Sequence, residues 1–281
     1  MKKIALVLIA VFALTGVQAQ IETPQPSPFT KMEQKVGLTD VTLEYSRPSA
    51  RGREVFGNLV PFSKLWRTGA NKNTVITFSN NVTIGGKEVK AGSYAIFTKP
   101  GETSWEVIFY ADTNNWGTPR EWDQSKVAAT IKADVVKMPM KIETFTMTFD
   151  DLTSGSAVLG ILWEDVYVGA KFEVPTDKTV SAAIAKTMNG PSAQDYYAAA
   201  VYYKESGKDI NQAKTWMEKA MSMMEKPAFY QLRQLSLIYA KAGDKKKAIE
   251  TAKKSLVGSK AAGNADYVKM NEDSLKEWGA K

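Results

Sequence analysis

Two hydrophobic periods divide this chain. From about Glu33 to Val174 apolar and polar residues alternate in short runs: Thr39–Tyr45 (TDVTLEY), Thr74–Ser79 (TVITFS), Ser93–Thr98 (SYAIFT) and Trp105–Tyr110 (WEVIFY). They are rich in β-branched and aromatic residues. Turn chemistry bounds them at Asn80-Asn81, Gly85-Gly86, Ala91-Gly92 and Lys99-Pro100-Gly101, so each predicts a strand. Val127–Val136, Thr144–Phe149, Ala157–Trp163 and Val166–Val174 continue the pattern. Many short strands with few helices predict an all-β antiparallel sandwich or jelly roll over residues 20–175. After Pro175 the spacing changes to that of a helix. Val180, Ile184 and Met188 fall four apart behind Thr176 and Asp177, in a helix-and-linker segment 176–191 that Asn189-Gly190-Pro191 should end. Ser192 with Asp195 then approaches a capping box at the start of a helical region, 192–281.

That region repeats itself. Tyr203, Gly207, Ala213 and Ala220 correspond to Tyr239, Gly243, Ala248 and Ser255, at an offset of 36 residues that becomes 35 after the first glycine. The pattern resembles tetratricopeptide helix pairs, in which large and small residues interlock two antiparallel helices. Such repeats bind protein segments along the first helix of each pair, which makes Tyr196, Tyr203, Arg233 and Tyr239 candidate partner-binding residues. Two repeats bury little against each other, so they should pack on the sandwich or on another copy.

The beginning of the chain reads as an export signal over residues 1–19. Lys2 and Lys3 precede an apolar run, Ile4 to Leu14, and Val17-Gln18-Ala19 fits a cleavage site. The run is too short to span a bilayer, and no cysteine follows to carry a lipid anchor, so a periplasmic or secreted protein without a membrane anchor is expected. The chain has 0 Cys and 0 His. That excludes disulfides, Ser-His-Asp and Cys-His catalysis, and the common zinc sites. An enzyme becomes less expected, and no metal or cofactor is implied. The formal charge of +7 is uneven. Residues 20–179 hold 18 basic against 19 acidic side chains, and residues 180–281 hold 17 against 11, with 16 of the 17 lysine. Lysine spread along helices is a solvated face, and nucleic acid is a poor partner for an exported protein.

One stretch follows neither period. Ser46–Asn71 (SRPSARGREVFGNLVPFSKLWRTGAN) holds four arginines, two prolines and three glycines between two strands. Together with "GGKEVKAGSYAIF" and "WEVIFYADTNNWG", and with the later "FTMTF" and "AVLGILWED", it resembles the exported bacterial domain of unknown function 2911, over about Ile21 to Val174. The resemblance implies a secreted or periplasmic β-rich domain, commonly followed by tetratricopeptide-like helices, and no established activity. Lys72-Asn73 departs from the pattern, where an acidic residue is frequent.

Guanidinium groups offer planar, two-pronged hydrogen bonding and an indole offers a stacking surface. Arg47, Arg51, Arg53, Trp66, Arg67 and Asn71 are therefore candidate ligand-binding residues for a glycan or an anionic small molecule. The competing expectation is structural: the same arginines pairing with Glu44, Glu54 or Asp150-Asp151 to tie down a long loop. Asp150-Asp151 and Glu164-Asp165 are adjacent on strands and point to opposite faces, which suits solvated strand ends better than paired catalysis. Asp112, Asn114, Gly117 and Asp123 match part of a calcium-loop pattern, but Trp116 stands at its fifth position and flanking helices are absent. Trp105 and Trp163 read as core, Trp116 and Trp122 as the better exposed aromatics. The chain reads first as a non-enzymatic interaction module docking a protein through its repeats. The alternative is a carbohydrate- or anion-binding protein, or a hydrolase, using the arginine-rich loop 46–71.

Overall fold

A computed structural model describes residues 23–188 and 190–280; the predicted export signal and Asn189 lie outside them. The described chain divides into two compact units at Thr176/Asp177.

The first unit is all β: β1 (Phe29–Val36), β2 (Thr39–Ser46), β3 (Ala70–Phe78), β4 (Val82–Ile84), β5 (Lys87–Val89), β6 (Gly92–Lys99), β7 (Ser104–Tyr110), β8 (Val127–Asp150) and β9 (Ser156–Glu173). Their antiparallel pairing runs β1-β2-β3-β6-β7-β8-β9-β4-β5. The long strand β8 joins two layers. Ser104–Tyr110 pair with its first third, and β9 pairs with the rest. The layers then face each other. Phe78 of β3 meets Phe172 of β9 at 5.4 Å between ring centroids, and Tyr45 of β2 meets Phe145 of β8 at 5.8 Å, although neither pair of strands is adjacent in the ladder. Alternation puts Val41, Leu43 and Tyr45 of β2, and Trp105, Val107 and Phe109 of β7, into one core with Leu159, Ile161 and Trp163 of β9. The sandwich expected from the alternation is present.

Two pairs of expected strands are continuous. Lys137–Glu143 reads as a polar break with Pro139 in it, yet the backbone stays extended while the pairing register shifts there. Extended chain tolerates such bulges, and proline fits where no ladder bond is required. Three further strands, β1, β4 and β5, stand outside the expected ones; β4 and β5 are only three residues long. The β1–β2 hairpin turns at Gly37-Leu38, where Gly37 holds φ 55° beside the Ser154 carbonyl and Thr176.

Tyr45 links the layers by more than its ring. Its hydroxyl accepts from Met147 N at 2.9 Å and donates to Met147 O at 3.3 Å, in the buried interior. The Tyr45→Phe variant is expected to lose about 1–2 kcal/mol in urea denaturation, because two buried backbone groups lose their partner.

The second unit contains α1 (Thr176–Thr187), α2 (Ala193–Glu205), α3 (Ile210–Ser222), α4 (Phe229–Lys241), α5 (Lys245–Ala261) and α6 (Ala265–Glu277). Helices α2/α3 and α4/α5 are two hairpins of like construction. Gly207 and Gly243 sit past the ends of α2 and α4 at φ 66° and 82°. Lys208 N bonds Tyr203 O and Asp244 N bonds Tyr239 O, both at 2.9 Å, which closes each first helix in the same way. Asp209 and Asp244 then cap the second helices. The equivalent Ala213 and Ala248, and Ala220 and Ser255, are all fully buried, and their small side chains let the paired helices approach. Ser192 and Asp195 form the expected capping box on α2. In α1 Val180 and Ile184 are half-buried, as is Met188 just past its end, and Asp177 accepts from Tyr202 and Lys208, both at 2.8 Å. Lys208 foremost, then Tyr202, holds the Asp177 carboxyl below the usual range.

Candidate functional site

The segment between β2 and β3 is pinned throughout, by bridges Ser49↔Thr144, Phe56↔Val60 and Trp66↔Thr98. Three of its arginines hold backbone. Arg47 donates to Phe145 O at 3.0 Å and Thr146 Oγ1 at 2.7 Å; Arg51 to Pro26 O at 2.8 Å; Arg53 to Ala50 O at 2.9 Å and Ser49 O at 2.8 Å. The carboxylates expected as their partners are elsewhere. Asp150 accepts from Thr148 at 2.7 Å and from Tyr167 at 3.0 Å. Burial first, then that bond to Asp150, raises the Tyr167 phenol. The carboxylates that do hold the loop are Glu143, accepting from Arg51 N at 2.7 Å, and Glu164, accepting from Val55 N at 3.0 Å. Asp165 pairs instead with Lys137 at 3.0 Å.

Arg67 differs. Among the described residues its guanidinium has no hydrogen-bond or ion-pair partner. It lines an open cleft of about 380 Å³ with Arg53, Ser27 and Thr118, walled by Trp66 and Trp163. The Trp66 ring stacks on Trp163, centroids 5.9 Å apart at 20°, and is flanked by Phe56, Trp105 and Phe145. Thr68, fully buried, holds φ 55°, and Asn71 holds φ 60°. A β-branched residue in the left-handed region is a strained position. Thr74 Oγ1 fixes it by donating to Thr68 O at 2.5 Å. The strained turn thus places Arg67 and Asn71 on either side of Gly69-Ala70.

Asn71 belongs to a second cleft, of about 230 Å³, with Gln25, Phe29, Tyr45, Ser46, Lys72, Asn73 and Trp116. Its amide donates to Ser27 O and Ser46 Oγ, both at 3.2 Å. The expected set therefore separates. Arg53, Trp66 and Arg67 share one cleft, Asn71 lines its neighbour, and Arg47 and Arg51 line neither. Trp116 is 71% exposed, as the sequence suggested, but Trp122 is not a free platform. It stacks on Tyr110 at 4.4 Å and covers the outer face of β6 and β7. Asp112 pairs with Lys126 at 2.9 Å and Asp123 caps Ser125 N, so the calcium-like loop uses these carboxylates locally. Among the described residues no group of three acidic, His or Cys side chains is placed to hold a metal ion.

In the helical unit the four candidates also separate. Tyr239 is buried, with its hydroxyl donating to Glu218 at 2.9 Å, and Tyr203 packs on Trp216 at 4.7 Å. Both serve the hairpins. Tyr196 is half-buried. Arg233 is only 9% exposed, and its Nη1 is shut off from solvent with no acceptor among the described residues. Burial lowers its pKa, opposed by Tyr267, Asp273 and Glu277 nearby. Burial likewise raises the Tyr197 phenol, with Tyr267 and Tyr230 close enough to add to it. Lys204 of α2 donates to Gln234 of α4, and Lys241 to Lys204 O at 2.8 Å. Phe229 of α4 meets Tyr267 of α6 at 5.1 Å. Helices α2, α4 and α6 thus share a face carrying Tyr197, Tyr230, Arg233 and Tyr267. Tyr197, Tyr230 and Tyr267 escaped sequence reasoning because they fall outside the repeated positions.

The family model described as "Protein of unknown function (DUF2911)" matches residues 27–172, more than half of the chain. The chain belongs to this family. The DUF2911 domain spans all nine strands to within a residue of the end of β9, and it includes every lining residue of the two clefts except Gln25. No curated protein matches, and no solved structure matches.

Proposed function

We propose that the protein is an exported, non-enzymatic interaction module whose tetratricopeptide-like helices dock a protein partner. Arg233 carries this reading. A buried guanidinium with an unpartnered nitrogen destabilises the free protein, and an acceptor brought by a partner relieves that cost. Lys204 and Lys241 add positive charge that offsets Asp273 and Glu277 nearby, and the unpartnered nitrogen calls for an acceptor oxygen, so the partner segment is acidic. The absence of His and Cys supports a binding role over a catalytic one.

The test uses the mature protein and its Arg233→Met variant as baits on an envelope fraction. A partner retained by the wild type and lost by the folded variant is the expected result. Equal capture by both would remove the α2/α4/α6 face from the proposal. A second reading, a glycan- or anion-binding protein using the sandwich, is favoured by Arg67, whose free guanidinium lines the larger cleft.

A further inference from the structure

We propose that the two clefts of the sandwich form one groove for an acidic carbohydrate, with a sugar ring stacked on Trp116 and its anionic group on Arg67. The inference rests on the second reading above and names the ligand and the contact missing from it.

The aromatic half of the argument is Trp116. A tryptophan 71% exposed is unusual unless its face has a use, and Phe29, 64% exposed, lines the same cleft. The loop beneath Trp116 is fixed. Asn73 donates through Nδ2 to Gly117 O at 2.9 Å, accepts from Asn115 N at 3.1 Å, and donates its own N–H to Asn115 O at 3.2 Å. Gly117 holds φ 102°, a backbone conformation that other residues avoid. An indole carried on a fixed loop at a cleft edge presents an electron-rich face, which suits the C–H face of a pyranose. The rest of the lining is polar where ring hydroxyls would reach: Gln25, Ser46, Asn71 and Lys72.

The charge comes from both clefts. Among the described residues their linings contain Arg53, Arg67 and Lys72 and no Asp or Glu. Neither Arg67 nor Lys72 has an ion-pair partner among the described residues. A planar guanidinium binds a carboxylate or sulfate in two-pronged fashion. The clefts adjoin at the Asn71–Ser27 hydrogen bond and on the two sides of Gly117, where Arg67 Nη1 would be 3.1 Å from a Cβ. One ligand can therefore meet the indole and the cation together. A simple inorganic anion would use Arg67 and leave Trp116 without a role.

The test is calorimetric titration of the mature full-length protein with a panel of uronate- and sulfate-bearing oligosaccharides, their neutral counterparts, and inorganic sulfate. The expected result is binding of at least one acidic oligosaccharide more tightly than its neutral counterpart. Trp116→Ala should weaken it by about tenfold or more, as loss of a central aromatic contact does. Arg67→Gln should remove the preference for the acidic form. Trp116 is exposed, so its variant keeps the fold, and near-ultraviolet circular dichroism confirms that for both variants. Arg67-dependent anion binding unaffected by Trp116→Ala would overturn the sugar platform and leave the cleft reading standing. Failure of the whole panel and of sulfate would overturn both.

Discussion

The Trp163→Ala variant should lose about 3–5 kcal/mol of β-sandwich stability, the range for removing a large buried aromatic side chain. Trp163 is 2% exposed and lies where both layers and the arginine loop meet. Its ring stacks on Trp66, meets Phe145 at 5.6 Å and Phe56 at 6.3 Å, and its Nε1 donates to Glu143 O at 3.0 Å. Alanine would remove the contacts and leave a void that the three neighbouring rings and the strands cannot close, since interiors relax only in part. The same indole walls the Arg67 cleft. The variant is therefore expected to lose ligand along with stability. Chemical denaturation followed in the near-ultraviolet reads the sandwich through this aromatic cluster, with Trp216 and Trp278 of the helical unit adding a second signal, and the two units need not unfold together. A loss under about 1 kcal/mol would show that the cluster is not the centre of the core.

The opposite sign is expected for Arg233→Met. The native guanidinium is buried among helices with one nitrogen unsatisfied, and its charge is disfavoured by that burial. Methionine has a similar length, carries no polar group and packs readily into irregular spaces. Removing the unpaired buried group should raise the stability of the helical unit by about 1–3 kcal/mol. Thermal unfolding followed at 222 nm measures it. A stabilised variant that no longer captures a partner would be a trade of stability for binding, which is how function is recognised at a site that weakens its own fold. A destabilised variant would show instead that Arg233 serves packing.

How much of this was legible beforehand depended on whether the signal was local. Strands β2, β6 and β7 were readable because each alternates over a run bounded by turn residues, and alternation is set by the geometry of a single strand. The helical hairpins were readable through Gly207 and Gly243, since a left-handed helix end selects glycine whatever surrounds it. The family was readable because several motifs recur in order. The continuity of β8 was not, because Lys137–Glu143 stays extended through shifts of register that only its neighbours reveal.

The arginine loop shows the boundary most clearly. Its composition by itself determined that rigid turns and fixed cations lie between two strands, and that some cations would be structural. Which ones, and against what, was decided by the tertiary structure. The natural guess for an arginine partner is a carboxylate, because charge is visible in a sequence, whereas Arg47, Arg51 and Arg53 found carbonyl oxygens. Every residue carries a carbonyl, so composition cannot single one out. The same holds for Trp116 and Trp122, alike in sequence context and opposite in exposure, because a neighbouring tyrosine covers one and nothing among the described residues covers the other. Local stereochemistry chose the elements; which polar groups were left free depended on distant parts of the chain meeting, a property of the folded packing alone.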